Sequence, residues 1–234
     1  MIAVMIEQLL RDRPGMTARI QSGGRGVIPV MLAVIAVSMI VVGAALGSYR
    51  GGVQIAYAAI KLPMVLIGTA LLSAPALTAI GTALGRPSKL RTDFALVIAA
   101  LAFGALLLVS CTPLILVGRA LEVPYHRFIL AVVAMFAIAG LASLRMIVRG
   151  SGQSWSGADS RPAGSTAAVG GLCVVFALVC GQLAWALRPY LVRPRAEVEF
   201  LRPVEGSLVD SIAQALDSAR GIYRRERAPL PAEE

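Results

Sequence analysis

The stretch VIPVMLAVIAVSMIVVGAALG, residues 27–47, contains no charged side chain. A helix that crosses the hydrocarbon core of a bilayer needs about 20 mostly apolar residues, and this stretch meets that requirement. The whole chain has 234 residues, 57% of them hydrophobic and 15% charged, with a mean hydropathy of +0.77. An ordinary soluble domain carries about 25% charged residues. The composition therefore argues against a soluble enzyme and indicates an integral membrane protein.

Four more apolar runs of similar length follow along the chain. Together the five runs predict spans at residues 27–47, 62–84, 94–117, 128–148 and 168–187. Residues 51–84 are too few for two crossings and a turn, so they hold one. The first run could instead be the core of a signal peptide, but its leader is long, and Pro29 and Ser38 interrupt it. The predicted fold is all-α, a polytopic transmembrane helical bundle of five spans over residues 27–187.

Short amphipathic helices are predicted at both ends of the chain. The N-terminal segment, residues 1–26, has apolar side chains near one helical face at Ile2, Ile6, Leu9 and Leu10. We expect this helix to lie on the membrane surface and to end at Pro14 and Gly15. The C-terminal tail, residues 188–234, contains a second amphipathic pattern at 207–221.

The segment GSGQSWSGADSRPAGST, residues 150–166, is predicted to be a flexible linker between the fourth and fifth spans, because it consists mainly of Gly, Ser and Ala.

Interfacial anchors are predicted at the ends of the spans, at Lys61, Arg145, Trp185, Arg188 and Tyr190. A lysine at this position can keep its ammonium in water while its stem lies along the lipid. The predicted second span then has Pro63 in its first turn, where a missing N–H is tolerated. Trp and Tyr favour the interfacial zone because their rings are amphipathic.

The net charge of +9, from 22 Lys and Arg against 13 Asp and Glu, is distributed around the spans. It forms no single basic face, so no nucleic-acid partner is expected. With the N-terminus inside, the cytoplasmic parts hold ten basic residues, and the outer loops hold four, with four more in the tail close to the last span. Basic residues concentrate on the cytoplasmic side. The sequence therefore predicts an inner (plasma) membrane protein with its N-terminus in the cytoplasm and its C-terminus outside.

Ionisable side chains are nearly absent from the predicted spans, which contain Arg145 alone. His126 is the only histidine and is expected at the surface, and Asp93 is expected to cap the third span. Three cysteines, Cys111, Cys173 and Cys180, are expected to act as small buried hydrophobes. The sequence thus predicts no enzyme, with no catalytic residue, no cofactor and no metal site.

Hydroxyl side chains do occur inside the predicted spans. Four of them lie near the prolines Pro75 and Pro113, which we expect to kink their helices; they are Ser73, Thr78, Ser110 and Thr112. Their simplest role is packing between helices. The G-x-x-x-G spacings of Gly43–Gly47 and Gly81–Gly85 are weak dimer motifs because both lie at span ends.

One part of the pattern resembles a known family. The sequence AIGTALG at 79–85 ends an apolar span, the basic turn RPSKLR follows at 86–91, and the next span has a proline, Pro113, near its end. This resembles the Yip-domain family of five-span membrane proteins over about residues 60–190. The resemblance implies a cytosolic N-terminus and a non-enzymatic role with protein partners, but not GTPase binding, because the tyrosine- and glycine-rich motif of the eukaryotic members is missing. The ending QLAWALRPY at 182–190 is also similar to uncharacterised bacterial inner-membrane proteins.

The function that we expect is that of a non-enzymatic membrane protein acting through a membrane-protein partner or a second copy of itself, as an accessory or scaffold subunit. Besides protein, its only expected partner is the lipid bilayer. The alternative is a small channel or permease subunit, with Ser73, Thr78, Ser110 and Thr112 lining a polar path between the second and third spans.

Overall fold

All regular secondary structure that the structure describes is helical. The structure is a computed structural model, and its described residues are 2–24, 26–83, 89–153 and 165–186. The helices are α1 (Ile2–Arg11), α2 (Arg13–Gln21), α3 (Val27–Gly47), α4 (Gln54–Ala83), α5 (Leu90–Ser110), α6 (Thr112–Ala120), α7 (Tyr125–Gln153) and α8 (Ser165–Ala186). The predicted all-α class is confirmed. The predicted tail helix at 207–221 lies outside the described residues.

Within the described part of the chain, four helical segments are long and apolar enough to cross a membrane. They are Val27–Gly47, Gln54–Ala83, Leu90–Ala120 and Arg127–Gly150. The first agrees residue for residue with its prediction, and the next three each contain nearly all of a predicted span. In α8 the described apolar part is Val174–Ala184, which is shorter than the about 20 residues that a crossing needs.

The centre of the bundle is formed by α3, α4 and α5, which all contact one another, while α7 packs on α5 and α8 packs on α4. Burial follows this arrangement. In the apolar part of Leu90–Ala120, 67% of the residues are buried, whereas in Arg127–Gly150 the share is 17%. The core therefore lies among α3, α4 and α5, and α7 is at the periphery.

Two glycines bring α3 and α4 together. A Cβ atom added to Gly43 would collide with the backbone of Ala58, and one added to Gly47 would lie 2.6 Å from the Gln54 carbonyl oxygen. Small residues spaced four apart let helix backbones approach closely in a membrane. The first G-x-x-x-G motif therefore packs two helices of the same chain.

The helix α4 begins at Gln54, eight residues before the predicted second span. As the prediction of one span requires, residues 54–83 form a single helix rather than two. The placement of Pro63 in a first turn is wrong, because Pro63 and Pro75 both lie inside α4. The early start has a packing reason: the first turns of α4 lie against the glycines of α3, with Gln54 and Ala58 buried.

The predicted third span is interrupted at Cys111, between α5 and α6. Pro113 lies in the first turn of α6, and because it has no N–H, the Val109 carbonyl has no donor four residues later. The chain restarts its helix with N–H groups of Leu114 and Ile115 that donate to the Cys111 carbonyl at 3.0 and 3.2 Å. The expected effect of Pro113 is thus confirmed as a break just before it.

The predicted linker at 150–166 is partly helical. The helix α7 continues to Gln153, and α8 begins at Ser165; residues 154–164 lie outside the described residues. Gly150 explains the longer α7, because a Cβ atom there would lie 2.5 Å from the Leu96 side chain of α5. Packing against α5 therefore holds these residues in the helix despite their small side chains.

The N-terminal residues form two helices where the sequence predicted one. The first helix ends at Arg11, before Pro14 as predicted, but Pro14 lies in the first turn of a second helix, α2, which begins at Arg13. Asp12 separates the two helices and caps α2, because its Oδ1 accepts a hydrogen bond of 3.0 Å from the Gly15 N–H. In α1, Met5 is fully buried, whereas Ile2, which was placed on the apolar face, is 57% exposed.

This N-terminal hairpin packs on the bundle, where the sequence predicted a lone helix on the membrane surface. The helix α2 contacts α5 and α7, and α1 contacts α3 and α5. The Arg13 guanidinium carbon lies 4.4 Å from the centre of the Phe103 ring of α5, a distance typical of a cation–π interaction. The hairpin therefore reaches well into the apolar part of α5.

Candidate functional site

Among the described residues, two charged side chains are buried in helices that are apolar enough to cross a membrane, although the sequence had placed both just outside the predicted spans. Lys61 in α4 is 0% exposed, and Asp93 in α5 is 3% exposed. Both had been placed at span ends, but α4 and α5 begin earlier than predicted and include them. Ionisable groups inside a membrane are costly and usually have a defined role, so these two residues are the first candidates for a functional site.

Asp93 joins α5 to α4. Its Oδ2 lies 2.9 Å from the Thr78 hydroxyl, which is also 3.0 Å from the Ala74 carbonyl of its own helix. Asp93 does not occupy the predicted cap position, because α5 starts at Leu90 with Lys89 as its N-cap residue, but it does lie in the first turn, where a carboxylate favours the helix dipole. The signal for the pair was available: in an antiparallel helix pair, residues about equally far from the connecting turn meet.

Lys61 is enclosed by protein, so its predicted role as an anchor with its ammonium in water is wrong. The Thr78–Asp93 hydrogen bond sets the register of α4 and α5. Lys61 precedes Thr78 by 17 positions, and Ser110 follows Asp93 by 17, so Lys61 is level with the end of α5.

The four hydroxyls of the predicted polar path fall into two groups. Ser73 and Thr78 lie towards the end of α4 that meets the start of α5, while Ser110 and Thr112 flank the break after α5. At a rise of 1.5 Å per residue, Ser110 is about 25 Å from Asp93 along α5. The Ser110 hydroxyl donates to the Leu107 carbonyl at 2.7 Å. The four side chains are therefore not brought together at one place.

Two of these hydroxyl oxygens are buried without a hydrogen bond to any described residue. They belong to Ser73, which is 1% exposed, and to Thr112. In contrast, the Thr69 and Ser143 hydroxyls donate to carbonyls of their own helices at 2.7 and 3.0 Å. Local bonds of this kind stabilise the packed helix without forming a path.

The outward side of α7 carries a continuous exposed stripe. Its members recur every three or four residues and so share one helical face; they are Ala131, Ala134, Ile138, Leu141 and Arg145. Arg145, predicted as an anchor, is exposed. The side chains of the other predicted anchors, Trp185, Arg188 and Tyr190, and that of His126 lie outside the described residues. The stripe combines small apolar residues with one cation.

Cysteines and metal-ligating side chains form no site within the described residues. Cys111 and Cys180 are free thiols, and Cys180 lies beside the Thr69 side chain. Among the described residues, no three His, Cys, Asp or Glu side chains are grouped closely enough to hold a metal ion. The side chain of Cys173 lies outside the described residues.

Comparison with known proteins identifies no relative of this chain. No family model, curated protein or solved structure matches this chain. The resemblance to Yip-domain proteins, seen in residues 79–91 and at Pro113, stays a prediction. The candidate sites are therefore the outward stripe of α7 and the hydrogen-bonded pair of half-buried Thr78 and buried Asp93.

Proposed function

We propose that this chain is a non-enzymatic integral membrane protein that acts through protein partners, as an accessory or scaffold subunit of a membrane complex. The observation that supports this most is the exposed stripe of α7, which ends in Arg145. A purely apolar stripe would be satisfied by lipid chains. An arginine near the end of the same face can extend to the headgroup zone, and it can also pair with an acidic group of a helix that packs on the stripe.

Small side chains on the stripe favour another helix as that neighbour. Ala131 and Ala134 would let a second helix approach closely, and a Cβ atom added to Gly140, on the exposed side of α7, would meet no atom within 4 Å. A second membrane protein or a second copy of this chain could therefore pack along α7 and place an acidic group near Arg145.

The buried ionisable residues support a non-enzymatic role. Lys61 and Asp93 lie on different helices about 25 Å apart along the bundle axis. Acid–base catalysis needs its groups within hydrogen-bond reach of the same substrate atoms. Asp93 instead bonds to Thr78 between two helices, which is a packing role.

The topology that we propose has five spans, with residues 168–187 as the fifth, a cytoplasmic N-terminus and an outer C-terminus in the cell inner membrane. Reporter fusions after residue 22 and after residue 187 test it. A reporter active only outside the cell should work after residue 187 alone, and the reverse pattern would overturn the orientation.

Partner binding is tested by purifying the full chain in mild detergent after crosslinking in its native membrane. We expect a crosslinked partner, or a crosslink between two differently tagged copies. Ala134→Leu should abolish the crosslink, because the larger side chain blocks helix approach. The control is Ala33→Leu, the same change at an exposed alanine of α3. A monomer without crosslinks, or equal loss in both variants, would contradict the proposal.

A further inference from the structure

A small cavity lies at the end of the bundle where α3 and α5 begin. It has a volume of about 130 Å³. Its described lining comes from the end of α2, the glycine-rich turn that follows, and the first turns of α3 and α5. The lining residues include Ile20, Gly24, Ile28, Arg91 and Thr92. Val27, the first residue of the apolar span, also lines it, so the cavity lies where hydrocarbon meets lipid headgroups.

The lining has one charge and an apolar floor. Arg91 is the only charged residue among the described lining residues. It makes no ion pair with any described residue. The side chain of its neighbour Asp93 does not line the cavity and bonds to Thr78 of α4 instead. Arg91 is exposed at the rim of the cavity, and a guanidinium there can bind a phosphate through two parallel N–H groups.

Backbone groups at the same place add to this positive potential. The cavity borders the first turns of two helices, in which the earliest N–H groups have no partner inside the helix. The Thr92 N–H already donates to the Lys89 carbonyl at 2.9 Å, and Pro29 has no N–H, so the free donors come from the residues before these two. The N-cap positions, Gly26 and Lys89, provide no side-chain hydrogen bond to them within the described residues. We propose that this cavity binds the phosphate of an anionic phospholipid, with the acyl chains lying along the apolar surface outside it. Basic pockets between membrane helices are known to hold such headgroups.

The test measures how many phosphatidylglycerol molecules the purified full chain retains, by native mass spectrometry, after exchange from phosphatidylcholine vesicles with or without phosphatidylglycerol. We expect Arg91→Gln to weaken retention about tenfold, which corresponds to about 1.4 kcal/mol. Arg91→Lys should reduce lipid retention less than Arg91→Gln does, because lysine keeps the positive charge. The matched control is Arg119→Gln, an exposed arginine in the last turn of α6 at the other end of the bundle, and it should retain the lipid as the unmodified chain does.

An equal loss of retained lipid in Arg91→Gln and Arg119→Gln would overturn the proposal, since lipid retention would then depend on the net charge of the protein and not on this cavity. Displacement of the lipid by inorganic phosphate at similar concentrations would overturn the assignment to a lipid. Ile28→Trp fills the cavity and keeps Arg91, so it should also reduce retention; unchanged retention there would place the lipid elsewhere. The measurement does not depend on a protein partner, so its failure is distinct from failure of the proposed function.

Discussion

The helices α5 and α7 are both apolar enough to cross a membrane, yet α5 is largely enclosed and α7 largely exposed. Both contain many small residues. In α5 these residues are covered by α3, α4 and α7, and Ala99, Ala100 and Ala102 are fully buried. In α7, Ala131, Ala134 and Gly140 face outward. Hydropathy therefore identifies helices that belong in a bilayer, while contacts decide which of them form the core.

The largest effect is expected where α3 and α4 touch. Gly43→Leu should prevent recovery of folded, monodisperse protein, because its side chain would collide with the backbone of Ala58. Gly140→Leu, the same change on α7, should leave folding intact, since open space surrounds that position. Size-exclusion profiles in detergent compare the two variants. Similar profiles for the two variants would contradict the difference in packing between Gly43 and Gly140.

A second pair of variants compares isoleucines in α5 and α7. Ile98 is fully buried, and Ile138 is 66% exposed. Ile98→Ala should lower the free energy of unfolding by about 2–5 kcal/mol through lost burial and a cavity, whereas Ile138→Ala should change it by less than about 0.5 kcal/mol. Reversible unfolding in mixed micelles measures both. A large loss at Ile138 in the isolated chain would contradict the peripheral position of α7.

The smallest effect is expected at the hydrogen bond between α4 and α5. Thr78→Val removes the hydroxyl that contacts Asp93 and should cost about 1 kcal/mol. Thr82→Val is the control, because the exposed Thr82 hydroxyl bonds only to the Thr78 carbonyl of its own helix. Thermal midpoints in the same detergent report the difference. If the two variants shift equally, the bond between the helices adds nothing to stability.

The sequence predicted apolar helices well where length and charge decide them, as at Val27–Gly47. It failed where tertiary contacts extend a helix beyond its apolar run. The first turns of α4 form because α3 covers them, and this buries Lys61, which composition alone places in water. Pro14 correctly indicated that the first helix ends before it, but not that a second helix, α2, begins at Arg13 with Asp12 as its cap.

Site residues were predictable only as residue types. Thr78 was singled out for its hydroxyl and Asp93 for its place at a helix start, yet their contact depends on the register of two helices. Arg91 was counted only as a flanking charge, and the cavity beside it exists because the end of α2 packs near α3 and α5. A linear pattern contains no such distances.

The contact between Arg13 and Phe103 also constrains how the chain is made. Ninety residues separate the two positions, and ribosomes add about 5–20 residues per second. The N-terminal hairpin is thus synthesised roughly 5 to 20 s before the helix that covers it. During that interval Met5, Leu9 and Met16, all fully buried in the finished fold, lack the surfaces of α5 and α7 and have only the hairpin itself and α3 beside them. Biogenesis of this protein therefore includes a stage in which the insertion machinery or the lipid surface covers apolar side chains of its first two helices.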